Sequence, residues 1–417
     1  MGEQIFMRIC VLTHTFPRNK QDVAAAFMKE FCDGLVENRN KVTLITPFDP
    51  KFNRSGDSFQ VITYKYIWPD KLHILGYSKT MEEDIKLRKR AYFLLPFLLC
   101  FGFFSLLRIV KNEKIELISV HWILPNGLIA FLVSKFTGVP YVITLPGTDA
   151  YLAHRYKIFG CVARIIANHS SGIISNSRWH LNRILKLGVS DKETKVISYP
   201  VDVSKLKPVT KRLEIYRKNL GLTDQNIIIL AIGRLVHKKG FEYLINAMPK
   251  IIKKNLNIRL IIGGDGDLRN NLVNLSKKLN LGDKVVFVGT ISRDEIIYYY
   301  NLSDMMVAPS IVDKNGNIDG GPVVSFESMA CGKPQVVTNI LGVADIMHDG
   351  INGYIISPKN TDDLADAILK LANSKVLREK MGKANRKLVQ RDLSTKHIGH
   401  KYTDFFKMVI SQNANLK

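Results

Sequence analysis

The chain has 417 residues and is 46% hydrophobic, enough for two cores of ordinary size, and its sequence reads as lacking an internal repeat, a low-complexity tract and a secretory signal peptide. Its formal charge of +23 is shared by both halves, so it is not a basic tail on a neutral body, and no recognised nucleic-acid-binding motif accompanies it. Five cysteines (Cys10, Cys32, Cys100, Cys161 and Cys331) are scattered without C-x-x-C spacing, which argues against a zinc site and for a reducing cytosol.

In chain order, Met7 to His14 reads as an opening strand followed by a Phe-Pro loop. Phe27 to Val36 reads as an amphipathic helix leading into a strand from Lys41 to Thr46, the βαβ start of a Rossmann-type domain. Basic residues from Lys86 to Arg90 directly precede the apolar segment 91–107, which is interrupted by Pro96 and Gly102 and stands at the lower length limit for a membrane span. Spanning would split the domain across a bilayer. Two alternatives remain: a buried core helix, or a helix with one face in the core and the other in lipid, since Phe and Leu occur on all its faces. Ile115 to His121 and Val139 to Leu145 read as further strands, the first ending on His121, a position where a hydrogen-bonded structural histidine is the more frequent case. Tyr199 to Ser204 precedes the charged stretch from Lys205 to Asn219 and marks the domain boundary.

Ile227 to Ile232 is too short for a helix and runs into glycine, so it reads as a buried parallel strand. The basic loop after it places Arg234 and Lys239 at the carboxyl end of that strand, where open α/β sheets bind ligands. Paired cations suit a diphosphate, although loop cations are also common in a chain this basic. The strand from Arg259 ends in Gly264 and Gly266, where backbone can approach a ligand closely; this is not the G-x-G-x-x-G fingerprint. The most informative stretch runs from Asp319 to Pro334. Asp319 and Glu327 are separated by seven residues, Gly320 and Gly321 open an apolar helix, and orphan amides up to Val323 stand ready for an anion. Alone, such an acidic pair is more often a solvated surface feature. Thr395 to Met408 reads as a last helix.

These pieces in this order resemble family 4 glycosyltransferases, retaining nucleotide-sugar-dependent enzymes of the GT-B fold. The resemblance covers nearly the whole chain and is most specific from Gly233 to Pro358. It rests on the G-R-L-x-x-x-K-G loop, the G-x-G turn, the Ala308-Pro309-Ser310 strand end, E-x-M-A-C-G-x-P, Gly342 to Ile346 and Asp349 to Gly353. It implies two Rossmann-like, doubly wound parallel-sheet domains facing a cleft. Residues 1–204 would bind acceptor, 205–394 would bind the nucleotide sugar, and 395–417 would return to the first domain. It further implies that Arg234 and Lys239 hold the donor diphosphate, with Gly264 and Gly266 close by, that Glu327 binds the ribose, and that Asp319, Gly320, Gly321 and Val323 hold the donor sugar. His121 would lie beside that sugar, and Asp149 would serve the acceptor side. Asp319 replaces the usual glutamate, Pro322 a common glycine, Pro146 the histidine of H-G-x-D, and Ala24, Ala25 and Ala26 a small-residue loop that usually carries Gly-Gly.

The expectation is a metal-independent hexosyltransferase without cofactor, since no D-x-D metal signature is present and cations can neutralise the leaving diphosphate. The catalytic set would be Asp319, His121, Arg234 and Lys239. Its acceptor would be a lipid-linked oligosaccharide or glycolipid at the cytoplasmic face of an anionic membrane, as in surface polysaccharide synthesis, with no nucleic-acid partner. Alternatives are a GT-B nucleotide-sugar epimerase and a non-catalytic nucleotide-sugar-binding subunit.

Overall fold

A computed structural model describes residues 7–76, 81–82, 86–87, 89–189, 192–314, 316–321, 323–340 and 342–415. Pro322, Leu341 and Arg88 of the basic run lie outside the described residues. The chain forms two compact units, Met1–Pro200 with Thr395–Lys417, and Val201–Ser394.

The first unit carries β1 (Arg8–Leu12), β2 (Lys41–Pro47), β3 (Gln60–Tyr64), a small hairpin of β4 (Met81–Glu82) and β5 (Lys86–Leu87), β6 (Leu117–His121), β7 (Tyr141–Leu145), β8 (Gly172–Ser175) and β9 (Thr194–Val196). Seven strands form one parallel sheet in the order β3-β2-β1-β6-β7-β8-β9. Apart from Arg8, every residue of β1, β6 and β7 is buried, as expected of a parallel sheet covered on both faces. The helices of this unit are α1 (Phe27–Glu37), α2 (Lys89–Asn112), α3 (Asn126–Thr137), α4 (Thr148–Arg155), α5 (Lys157–His169) and α6 (Arg178–Leu185). Leu94, Leu98 and Leu106 of α2, Ile129 and Val133 of α3 and Ile166 of α5 share one core with Leu12, Ile118, Val120 and Ile143 of the sheet.

Segment 91–107 is therefore half a core helix. Ala91, Leu94, Leu98, Gly102, Leu106 and Ile109 recur at helical spacing and face inward. Gly102 is needed there, because a Cβ would stand 2.8 Å from Ile129 Cδ1 and 3.1 Å from the Tyr64 hydroxyl. The opposite face is exposed and aromatic.

The second unit carries β10 (Ile227–Ile232), β11 (Ile258–Gly263), β12 (Val285–Gly289), β13 (Met305–Ala308), β14 (Gln335–Thr338) and β15 (Gly353–Ile356), all parallel, in the order β12-β11-β10-β13-β14-β15. Its helices are α7 (Leu213–Asn219), α8 (Phe241–Lys254), α9 (Arg269–Lys278), α10 (Ile296–Leu302), α11 (Val323–Ala330), α12 (Thr361–Ala372) and α13 (Lys375–Asp392). Leu244, Ile245, Met248 and Ile251 of α8 pack with Leu364, Ile368 and Leu371 of α12 over Ile229, Leu260 and Val307.

The last helix, α14 (Thr395–Asn415), belongs to the first unit. Gly34 of α1 and Gly399 of α14 let the two backbones nearly touch: a Cβ on Gly399 would stand 2.0 Å from the Gly34 carbonyl oxygen. Phe31 packs edge-on to Tyr402 at 4.8 Å, and a Cβ on Gly172 of β8 would meet Phe405 at 2.8 Å. The boundary expected after Ser204 falls earlier, after Pro200. Val201 donates from its backbone to the Leu393 carbonyl at 2.9 Å, and Arg386 of α13 donates to the carbonyls of Val203 and Leu206, so residues 201–206 are tied into the second unit.

Candidate active site

In the second unit, β10 lies between β11 and β13, so successive connections leave it in opposite directions. Crevices form at such switch points, outside the carboxyl ends of the strands. The loops there are laced by backbone bonds: Gly233 donates to Gly263, Leu235 to Asp265, Gly264 to Gly289 and Ile311 to Lys238. Gly264 has φ +128 and its absent Cβ would fall 2.0 Å from the Gly233 carbonyl oxygen, while a Cβ at Gly266 would crowd the backbone of Leu235. Both glycines thus bring the β10 and β11 loops into contact with each other, a packing role that the sequence pattern did not distinguish from ligand approach.

This lacing brings the expected side chains together. Lys239, ending a short 3-10 turn after β10, donates from Nζ to Asp319 Oδ2 at 2.5 Å, with both side chains largely buried. Burial pushes the Asp319 carboxyl up, but Lys239, Lys238 and Arg234 more than offset this and hold it below its ordinary value. Lys238 is buried and Arg234 exposed. Three cations therefore surround one carboxylate, a local positive excess at the switch point. Gly320 and Gly321 separate Asp319 from α11, which begins at Val323.

Glu327 lies one turn into α11 and is 3% exposed. Its Oε1 accepts from Arg293 and its Oε2 from the Tyr300 hydroxyl at 2.6 Å. Burial, then the neighbouring Glu327 charge, pushes the Tyr300 phenol well up, so it stays a donor. Sequence reasoning passed over Arg293 and Tyr300. The available signal was the Ile296 and Tyr300 spacing, which puts a tyrosine on the buried face of a helix where its hydroxyl needs a partner.

The first unit has its own switch point between β1 and β6. His121, the last residue of β6, is fully buried. Its Nδ1 lies 2.9 Å from the Tyr199 hydroxyl, its ring meets the edge of Phe31 at 4.6 Å, and its Nε2 has no hydrogen-bond partner among the described residues. Burial lowers its pKa to about 3, so the ring is neutral. The last pleat of β6 turns His121 inward. The group beyond that strand end is instead Trp122, a non-glycine residue with φ +67, whose ring packs on His14 at 4.4 Å. His14, held by Asn126 at 3.2 Å, was passed over as a site residue although it ends the first strand segment. Burial lowers its pKa to about 4. Asp149 is the second residue of α4, after β7. Ala25 adopts φ +50 in the turn before α1.

Each unit matches a known protein family. Residues 213–388 match the family described as Glycosyl transferases group 1, and residues 24–205 match Glycosyltransferase Family 4. An uncharacterised glycosyltransferase of Methanocaldococcus jannaschii is 25% identical over 97% of this chain and 99% of its own length. The UDP-Gal:alpha-D-GlcNAc-diphosphoundecaprenol alpha-1,3-galactosyltransferase of Escherichia coli is 25% identical over 74% of this chain and 79% of its own. Among solved structures, Anabaena HepE in complex with UDP superposes with a TM-score of 0.74 at 18% identity, over 96% of this chain and 100% of that one. The two-sheet architecture is the GT-B fold. The chain is a glycosyltransferase enzyme and belongs to the family 4, GT-B group.

Proposed function

We propose that the enzyme transfers a hexosyl group from a nucleoside-diphosphate sugar, with retention at the anomeric carbon, to a lipid-linked oligosaccharide or glycolipid presented at the cytoplasmic face of a membrane. The observation that carries the donor half is the Lys239 to Asp319 pair at the switch point of the second unit, with Arg234 and Lys238 beside it. A diphosphate entering there exchanges one anion for another at Lys239, and Arg234 adds a bidentate donor. These cations neutralise the departing diphosphate without an obligatory metal. Asp319, once released, and the amides of Gly320, Gly321 and Val323 face the donor sugar. Glu327, whose orientation Arg293 and Tyr300 fix, retains lone pairs for ribose hydroxyls. Asp149 serves the acceptor. Two of the relatives support the reading: the Escherichia coli protein uses a lipid diphosphate acceptor and the Anabaena protein binds UDP.

The test is thermal unfolding with UDP, GDP, ADP and CDP, with and without magnesium, followed by transfer from the matching labelled donor. A ligand at a hundred times its Kd adds about 2.7 kcal/mol to native stability. One nucleotide stabilising the protein without metal, and labelled lipid product formed from its sugar, is the expected result. Release of a free epimerised sugar nucleotide would replace the reading with an epimerase, and nucleotide binding without any turnover would replace it with a binding subunit.

A further inference from the structure

The outward face of α2 is made of Tyr92, Phe93, Pro96, Phe97, Cys100, Phe101 and Phe104, with Phe93 76% and Phe104 61% exposed. An ordinary surface helix shows polar residues on this side. The patch continues onto α3, where Phe136 is 72% exposed and its ring lies 5.6 Å from Phe103. By length and composition α2 could cross a membrane, yet its inner face is committed to the sheet core, so it can only lie along a surface. The charge on the helices that carry and flank the patch has one sign. Helices α2, α3 and α5 contain no Asp or Glu, while their sequences carry Lys89, Arg90, Arg108, Lys111, Lys135, Lys157 and Arg164. Aromatic rings between cations, with acids excluded over three helices, complement an anionic bilayer: rings reach the acyl boundary while lysine and arginine meet headgroup phosphates. A protein partner would need matching acids at these positions; a bilayer supplies them at any rotation.

We infer that the α2 and α3 face seats the first unit on an anionic lipid surface, with α2 parallel to the membrane plane. This rests on the reading above for its purpose, since a lipid-borne acceptor is delivered to an enzyme already on the bilayer, but its observations are independent of the donor site.

Cys100 sits on this face and Cys161 is the other exposed thiol among the described residues, so Cys161→Ser leaves one accessible labelling position. A solvent-sensitive fluorophore on Cys100 is expected to shift to the blue on vesicles of phosphatidylcholine mixed with phosphatidylglycerol and to stay unchanged on phosphatidylcholine alone. In co-sedimentation of the unlabelled chain, Phe93→Ser combined with Phe97→Ser and Phe104→Ser, and separately Arg108→Glu with Lys111→Glu, are each expected to weaken binding to the anionic vesicles at least about tenfold. All are outward-facing, and an unchanged melting midpoint checks that they fold. Equal vesicle binding by wild type and both variants, binding indifferent to lipid charge, or a dimer that the Phe variant dissociates would overturn the inference. The nucleotide-induced melting shift, measured on the same proteins, keeps the two readings apart. Its loss with vesicle binding intact sinks the transferase reading alone; its retention with no vesicle binding sinks the docking face alone.

Discussion

The two units place a site at the same topological position and fill it with opposite chemistry. At the β10 and β13 ends, Lys238, Lys239 and Arg234 surround Asp319, while Arg293 and Tyr300 clamp Glu327. At the β1 and β6 ends there is an aromatic cluster of Trp122, Phe27, Phe31 and Tyr199 around two neutral imidazoles. Sheet order decides where a crevice forms, and the loop residues decide what it can hold. Exchangeable ion pairs suit a charged ligand; a neutral aromatic cluster suits packing and the faces of an uncharged one.

The largest expected break in this contrast is at the cations. Arg234→Ala with Lys239→Ala should lower transfer about 100- to 1000-fold, as loss of a group stabilising a departing anion does, and abolish the nucleotide melting shift. Trp122→Ala should leave that shift intact. Next comes Glu327→Gln, which removes the charge opposite Arg293 and should cost about 2–3 kcal/mol, read from urea unfolding followed by circular dichroism. Rescue of nucleotide affinity by Asp at this position would sink the proposed clamp.

Acid sharpens the comparison further. The folded pKa values of His14 and His121, about 4 and about 3, lie below the ordinary 6.5, so the unfolded chain takes up protons first. Stability from this source is complete above pH 6.5 and falls as pH drops toward those values, at about 1.4 kcal/mol per pH unit for each histidine. Asp319 behaves differently: its folded pKa is below 3.8, so its contribution is complete above that value and is lost only as pH falls further. The first unit should therefore weaken between pH 6.5 and 4 while the Asp319 pair persists. All three tryptophans, Trp68, Trp122 and Trp179, lie in the first unit, so indole fluorescence isolates it. His121→Phe should flatten its pH slope. The smallest effect is Asp319→Asn, expected to cost about 1 kcal/mol at neutral pH and progressively less as pH falls below 3.8, seen in the circular-dichroism midpoint. A fluorescence midpoint independent of pH over the upper window would refute the two-histidine account.

Local signals made much of this legible. The apolar run ending at Gly233, the basic loop and the acid pair spaced across a helix start each depend on neighbours in sequence, and the strands and helices form where those signals stand. The partners of Glu327 were not legible, because Arg293 reaches it across the fold and nothing in its own segment announces an acid. The orientation of His121 turns on one pleat at a strand end, where periodicity runs out. The aromatic side of α2 was visible as composition, but which rings face outward depends on the helix phase set by Gly102 against Ile129 and Tyr64.

The Gly34 and Gly399 contact has a consequence for synthesis. The first unit is interrupted: its strands leave the ribosome early, yet the helix that covers Phe31 and Gly172 arrives only after Ser394. Domains generally fold as units as they emerge. The inserted body can thus mature first, while the earlier-made sheet waits with one flank bare, open to chaperones and proteases. A premature stop just before Thr395 would leave the second unit whole and condemn the first.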